Sequence, residues 1–269
     1  MSSIINNHQQ TSSSSSSSAQ DPYQHGIPEI PTDGRVVLLQ NSKTGALVYL
    51  VGTVHVCKES AELVKKVIDY VRPDVVAVEL CKGRAERFMN WKPKDETLYK
   101  LFRKSMRAPG GLCMKLDVFF LHHWYRRLHA NGIFPGLEFK VAMEESFRVG
   151  ATCFYIDQDN EVTRQQLSKL SSFDLLQRAI DTLRRSTSFK YENFTRSTER
   201  KMFSIQKKQC PKIYKVMIED RDKIMFTNLI SFQGKVVAVV GMSHMDGIEL
   251  LWKRAEEVDN SSICITIGT

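Results

Sequence analysis

The sequence predicts an α/β protein with a mainly parallel central sheet flanked by helices, an N-terminal hairpin and a long helical insertion. Three observations carry this. Short Val- and Ile-rich runs alternate with segments of helical periodicity. Two runs, Asp74–Leu80 (DVVAVEL) and Lys235–Val240 (KVVAVV), are apolar at nearly every position, as in strands covered on both faces. A basic, largely helical stretch separates those two runs.

Taken in order, residues 1–34 carry Asn6-Asn7, Gln9-Gln10, the run Ser12–Ser18 and three prolines. Such a segment buries too little to offset its ordering entropy, so the expectation is a disordered tail over 1–34 and one folded domain over 35–269. Arg35–Gln40 and Ala46–Val51 are strand-like and joined by Asn41-Ser42-Lys43-Thr44-Gly45, a loop of hairpin length and composition. Ser60–Val71 places Leu63, Val64, Val67, Ile68 and Val71 on one helix face, and Pro73 ends it before the strand Asp74–Leu80. Helical periodicity follows over Leu112–Asn131, over Glu138–Val149 with Gly150 as its C-cap, and over Phe173–Thr187 and Ile213–Asn228. Ala151–Ile156 reads as a strand, as does Lys235–Val240. Gly247–Val258 reads as a helix and Ser262–Ile267 as a last strand.

With 42% hydrophobic and 25% charged residues over 269, the chain excludes collagen-like, repeat-fibrous and wholly disordered classes. Its apolar runs are strand-sized, far short of the ~20 residues needed to cross a bilayer, and its polar N-terminus is no secretory signal. Six cysteines, none in a C-x-x-C pair, argue for reduced thiols in a cytosolic-type compartment rather than a disulfide framework or zinc knuckle. The charge is uneven: 26 Lys/Arg face 14 Asp/Glu between Arg84 and Lys215, a net +12 within a chain of +8. That surface suits an anionic membrane or an acidic protein partner. No nucleic-acid-binding motif accompanies the charge, so nucleic acid is not expected.

One pattern occurs twice. Gly52-Thr53-Val54-His55 follows one apolar strand and Gly241-Met242-Ser243-His244 follows another, which delivers each histidine to the loop at a strand's C-terminal edge. That edge is where ligands bind in open α/β sheets. Glu79 ends a third such strand. A carboxylate in an apolar run is seldom buried without a partner. If the three strands are neighbours, His55, His244 and Glu79 form the two-imidazole, one-carboxylate ligand set of a catalytic divalent metal. The plainer alternative makes His55 a hydrogen-bonded loop residue and Glu79 the partner of Arg84 or Arg72. Cys57 and Cys81 permit a Cys/His nucleophile, although small packed thiols are commoner. His122, His123 and His129 fall on different sides or different turns of one helix and cannot share a metal.

In this order, GTVHVCKES, VELCKGR, PGLEFKVAMEES, EDRDKIM and VVAVVGMSHMDGI resemble the TraB family, in the wider group with the TIKI proteases and the PrgY pheromone-shutdown proteins. The likeness is strongest to eukaryotic TraB domain-containing proteins. The resemblance covers Arg35 to Trp252 and implies a signature site of His55, His244 and Glu79. It also implies Arg84, a helix carrying Glu138, Ala142 and Glu145, and the pair Arg221-Asp222. On this basis the expected catalytic residues are Glu79, Arg84, Glu145 and Arg221, and the expected metal ligands are His55, His244 and Glu79. By resemblance the metal is Mn, Co or Zn and the activity a hydrolase of peptide type with a peptide or protein substrate. A non-catalytic adaptor or regulator at an organelle surface stands as the alternative. Relatives carry an Asp-Arg-Pro-like motif where this chain has Asp157-Gln158-Asp159, so the arginine is missing. Eukaryotic relatives often end in an apolar anchor at the mitochondrial outer membrane. None precedes Thr269, so a cytoplasmic chain is expected, with the mitochondrial outer surface as the alternative that the resemblance implies.

Overall fold

The structure, a computed structural model, describes residues 23–89, 97–108, 110–188 and 195–267. Strand β1 (Val36–Gln40) turns back through the expected hairpin into β2 (Leu47–Thr53), pairing antiparallel. Helix α1 (Lys58–Val71) ends at Arg72, whose φ of 47° reverses the chain into β3 (Val75–Val78). Short helices α2 (Lys82–Met89) and α3 (Leu98–Met106) precede α4 (Leu112–Ala130) and α5 (Leu137–Val149), the last closed by Gly150 at φ 78° as expected. Strand β4 (Thr152–Tyr155) leads to α6 (Asn160–Ser168), α7 (Ser172–Ser188) and α8 (Arg196–Gln209). Then α9 (Pro211–Tyr214) runs through a π-helical turn, Lys215–Glu219, into α10 (Asp220–Leu229). Strand β5 (Lys235–Gly241) passes directly into α11 (Met242–Ile267).

The sheet order is β1-β2-β5-β3-β4, parallel except at the hairpin. Strand β5 is inserted between β2 and β3, so the second Gly-x-x-His segment lies between the first one and Glu79. Its valines alternate faces. Val237 and Val239 pack with α1 and α5, while Val236, Ala238 and Val240 pack with α10 and α11. A third apolar cluster, Met114, Leu167, Leu175 and Val216, binds the insertion helices to one another.

Three expectations are corrected. Ser262–Ile267 is not a strand but the end of α11: no Gly or Pro stands between Gly247 and Gly268, so the helical ladder runs on through β-branched residues whose strand preference is weak against context. His244 lies in the first turn of α11 rather than in a loop, because the helix begins at the residue after β5 ends. Packed structure also begins before Arg35, since Ile27 and Ile30 are buried in the α1 side of the core. Residues 1–22 of the expected tail lie outside the described residues. No helix among the described residues is long and apolar enough to cross a membrane.

Candidate active site

Strand pairing builds the site. In the parallel ladder Thr53 pairs with Gly241, so β2 and β5 end level, and the Glu79 N–H donates to the Val239 carbonyl at 3.0 Å just past the end of β3. His55 is two residues past β2, Glu79 follows β3, and His244 is one turn into α11.

Each imidazole is held by a buried carboxylate. His55 Nδ1 lies 2.6 Å from Glu138 Oε1, and His244 Nδ1 lies 2.6 Å from Asp222 Oδ1. His244 turns its Nε2 towards Glu79, and His55 Nε2 and Glu79 both lie against Gly241. His244 Nε2 is 3.3 Å from Glu79 Oε1. On the other side, a Cβ added at Gly241 would meet His55 Nε2 at 2.9 Å and Glu79 Oε2 at 3.1 Å, so both converge on the bare face of that glycine. The second glycine of the repeated motif is therefore required by space: any side chain there would fall between His55 and Glu79.

Glu138 reaches His55 because of how α5 starts. The Gly136 N–H donates to the His55 carbonyl at 2.7 Å, which seats the first turn of α5 on the His55 loop. Gly136 has φ 83° and faces the Phe88 ring at a distance no Cβ would tolerate. Glu138 is fully buried, and its Oε2 has no hydrogen-bond partner.

Glu79 is buried, and both of its oxygens accept hydrogen bonds. Oε2 accepts from the Gly241 N–H at 2.6 Å, and Oε1 accepts from Arg221 Nη2. Arg221 also donates to Asp157 through Nε at 2.9 Å and Nη2 at 2.8 Å, and to the Met217 carbonyl at 3.0 Å in the π-helical turn. Arg84 Nη1 donates to Asp157 Oδ2 at 3.0 Å from a partly exposed position. Asp157, the residue retained from the altered motif, thus links the two arginines.

The protonation equilibria follow from these contacts. Burial opposes charge on Glu79, but His244 and Arg221 beside it hold its carboxyl well below the usual range. Burial would lower the His244 pKa, yet Glu79 and the bond to Asp222 carry it up to about 9. His55 is raised in the same way, with Glu138 outweighing desolvation. Burial pushes Asp222 up. Four carboxylates (Glu79, Glu138, Asp157, Asp222) face two arginines (Arg84, Arg221). With neutral imidazoles, four minus two leaves two negative charges, which two imidazolium protons or one divalent cation would balance.

The expected residues are thus brought together with one exception. His55, His244, Glu79, Arg221 and Arg84 form one network. Glu145 does not join it: seven residues beyond Glu138 on α5, it pairs with Lys65 at 3.2 Å and with Arg148. It stands apart from the network as a buried carboxylate held by those two cations. A helix face is a line about 10 Å long over seven residues, and only the end docked on His55 reaches the site. Tyr125 of α4 was not anticipated. Its phenol lies in the field of Arg84, Arg178 and Glu138, and nothing distinguishes it in sequence from the other aromatics of α4. Cys57 donates to Glu59 at 2.6 Å with its pKa raised, mainly by burial, and Cys81 is buried, so neither resembles an activated nucleophile. His123 stacks on Phe119, and His129 meets Phe134 at an interplanar angle of 51°, as packing residues.

The ligand types and their carboxylate-held imidazoles fit a divalent cation. Among the described residues no three such side chains are already spaced as ligands, because Arg221 occupies Glu79. A cleft of about 510 Å³ lies beyond the first turn of α11, lined by Arg196, Arg200 and Ser243 among others, with those arginines bonded to Asp246.

Residues 37–110 match the model of the TraB/PrgY/gumN family. An uncharacterized protein of Methanocaldococcus jannaschii is 29% identical over 220 residues, 78% of this chain and 54% of that protein. The TraB domain-containing proteins of Mus musculus and Homo sapiens are 26% and 25% identical over 83% and 84% of this chain, each alignment covering 67% of the relative. The chain thus spans about half of the archaeal relative's length and two thirds of the mammalian ones. A solved structure of ChaN of Campylobacter jejuni, described as binding heme cofacially, covers 77% of this chain and 80% of its own at 12% identity. Its TM-score of 0.32 carries no argument.

Proposed function

We propose, for a chain that belongs to the TraB/PrgY/gumN family, a hydrolase whose site is the paired His55–Glu138 and His244–Asp222 units facing Glu79. The observation that carries this is the convergence of both Nε2 atoms on one carboxylate while both Nδ1 atoms are held by buried carboxylates. Carboxylate-held imidazoles of this kind are the common support of metal-ligating histidines. His55, His244 and Glu79 would hold a divalent cation, Mn, Co or Zn, and its charge would fill the deficit of two. When bound, such a cation supplies Lewis acidity and lowers the pKa of a coordinated water.

The chain's own groups have separate tasks. Glu138 and Asp222 keep a proton on each Nδ1, so that each Nε2 lone pair faces inward. Glu79 Oε2, on the His55 side, is placed to orient or deprotonate a water. Arg221 fixes Glu79 and Asp157. Arg84, the more exposed of the two arginines, is the cation available to a developing oxyanion or a substrate carboxylate. A peptide bond is the substrate class proposed, by resemblance to the TIKI proteases. Turnover of a quenched-fluorescent peptide library should depend on added Mn, Co or Zn and vanish in His55→Ala. Equal turnover in that variant would refute the assignment.

One observation favours a second reading. Arg221, the Gly241 N–H and His244 satisfy Glu79 with no ligand, so the network also serves to lock α10 and α11 onto the sheet of a non-catalytic adaptor. An adaptor would retain its cellular function in His55→Ala, and an enzyme would lose it.

A further inference from the structure

Helix α3 buries one narrow side, Leu101 and Ser105, and presents the rest to solvent. Large apolar side chains lie on that open side: Leu98 is 47% exposed, Tyr99 70% and Phe102 46%. Phe102 meets Phe119 of α4 edge-on at 5.8 Å, so the exposed face continues onto the half-buried aromatic surface of α4. Leu112, which opens α4 just beyond α3, is 66% exposed. Residues 98–116 carry five Lys or Arg and no Asp or Glu. Of these, Lys100, Arg103 and Arg107 are exposed, and no described carboxylate pairs with any of them.

We infer that α3 and the start of α4 form a peripheral docking surface for an anionic lipid bilayer. Apolar side chains with basic flanks on a short surface helix suit the headgroup boundary: the rings and Leu side chains enter the interface while the long cationic side chains meet lipid phosphates. Each Lys or Arg near an anionic surface adds attraction that salt screens. The exposed apolar side chains favour a bilayer over an acidic polypeptide, which the basic residues alone would suit: Tyr99, 70% exposed, and Leu112, 66% exposed, are free to enter the interface. Binding of this kind needs no spanning helix. The inference is independent of the hydrolase reading, since none of these residues belongs to the site network.

Co-sedimentation of the full chain with vesicles tests it, using phosphatidylcholine alone and three parts phosphatidylcholine to one part phosphatidylserine. Binding to the mixed vesicles only, weakening as salt rises, is expected. The variant Lys100→Glu/Arg103→Glu should lose at least about tenfold in affinity. Tyr99→Ser/Leu112→Ser, at the two most exposed positions, should weaken binding at every salt concentration while circular dichroism and Tm stay unchanged. Equal binding to neutral vesicles, no binding to either, or wild-type binding by both folded variants would overturn the inference. So would capture by soluble polyglutamate without vesicle binding, which would transfer the surface to an acidic protein partner.

Discussion

Replacing Gly241 by alanine tests the geometry of the site directly. The added Cβ would stand 2.9 Å from His55 Nε2, 3.2 Å from His55 Cε1 and 3.1 Å from Glu79 Oε2. Ordinary contacts begin near 3.5 Å, so something must retreat by roughly half an ångström. Glu79 is pinned by Arg221, by His244 and by the Gly241 N–H itself. His55, with 42% of its side chain exposed, is the group that can yield, and moving it breaks the 2.6 Å bond to buried Glu138. A buried carboxylate left without that partner costs about 1–3 kcal/mol. The lower entropy of an unfolded chain carrying alanine returns about 0.4–1 kcal/mol, because Gly241 is not in the left-handed region. The net expectation is a loss of about 1–2 kcal/mol, read as a lower urea midpoint, together with a fall of the His55 pKa towards its ordinary value in imidazole NMR. Gly52→Ala provides the contrast. Its Cβ would meet the Sδ of buried Met245 at 2.0 Å, a core overpacking that costs about 1–3 kcal/mol and leaves the His55–Glu138 bond intact. An unchanged His55 titration in Gly241→Ala would refute the convergence of His55 and Glu79.

Further expectations follow from the same contacts. Arg221→Met strands the Glu79 and Asp157 carboxylates in the interior and should cost about 3–5 kcal/mol, with part recovered in Arg221→Met/Asp157→Asn; a change below about 1 kcal/mol in urea unfolding would contradict the network. In metal-free protein the His244 pKa is raised to about 9, so its contribution is full below the unfolded value near 6.5 and is lost as pH rises through about 9. Chemical unfolding from pH 6 to 10 should show a decline of order 3 kcal/mol that His244→Gln removes, and a flat profile would contradict it. Glu145→Gln, at a residue paired with Lys65 and Arg148, should leave cation content and turnover at the wild-type level.

What the sequence disclosed followed from how local each signal is. The hairpin, α1 and the strands ending at Gly52, Glu79 and Gly241 rest on short-range periodicity and turn chemistry, and the structure keeps them. The adjacency of β2, β5 and β3 was legible only as a condition, because β5 enters between two strands far earlier in the chain and periodicity does not encode strand order. Glu138 and Glu145 share a face and a composition. The hydrogen bond from Gly136 to His55, a tertiary contact, decides which of them reaches the histidine. His244 lies beside Glu79 in the first turn of a helix instead of in a loop, since no turn residue separates β5 from α11. Helix α3 escaped because it is only nine residues long, and α8 because its sequence is strongly polar. Tyr125 escaped because its role depends on how α4 lies over Arg84.

Elemental analysis of the untagged chain, purified without chelators, alongside His55→Ala and His244→Ala, tests the central claim most directly. The account predicts near-stoichiometric Mn, Co or Zn in the wild type and its loss in both folded variants, since each contributes one of the two converging Nε2 atoms. Full metal content in either variant, or none in the wild type after reconstitution with all three cations, would contradict a shared cation site.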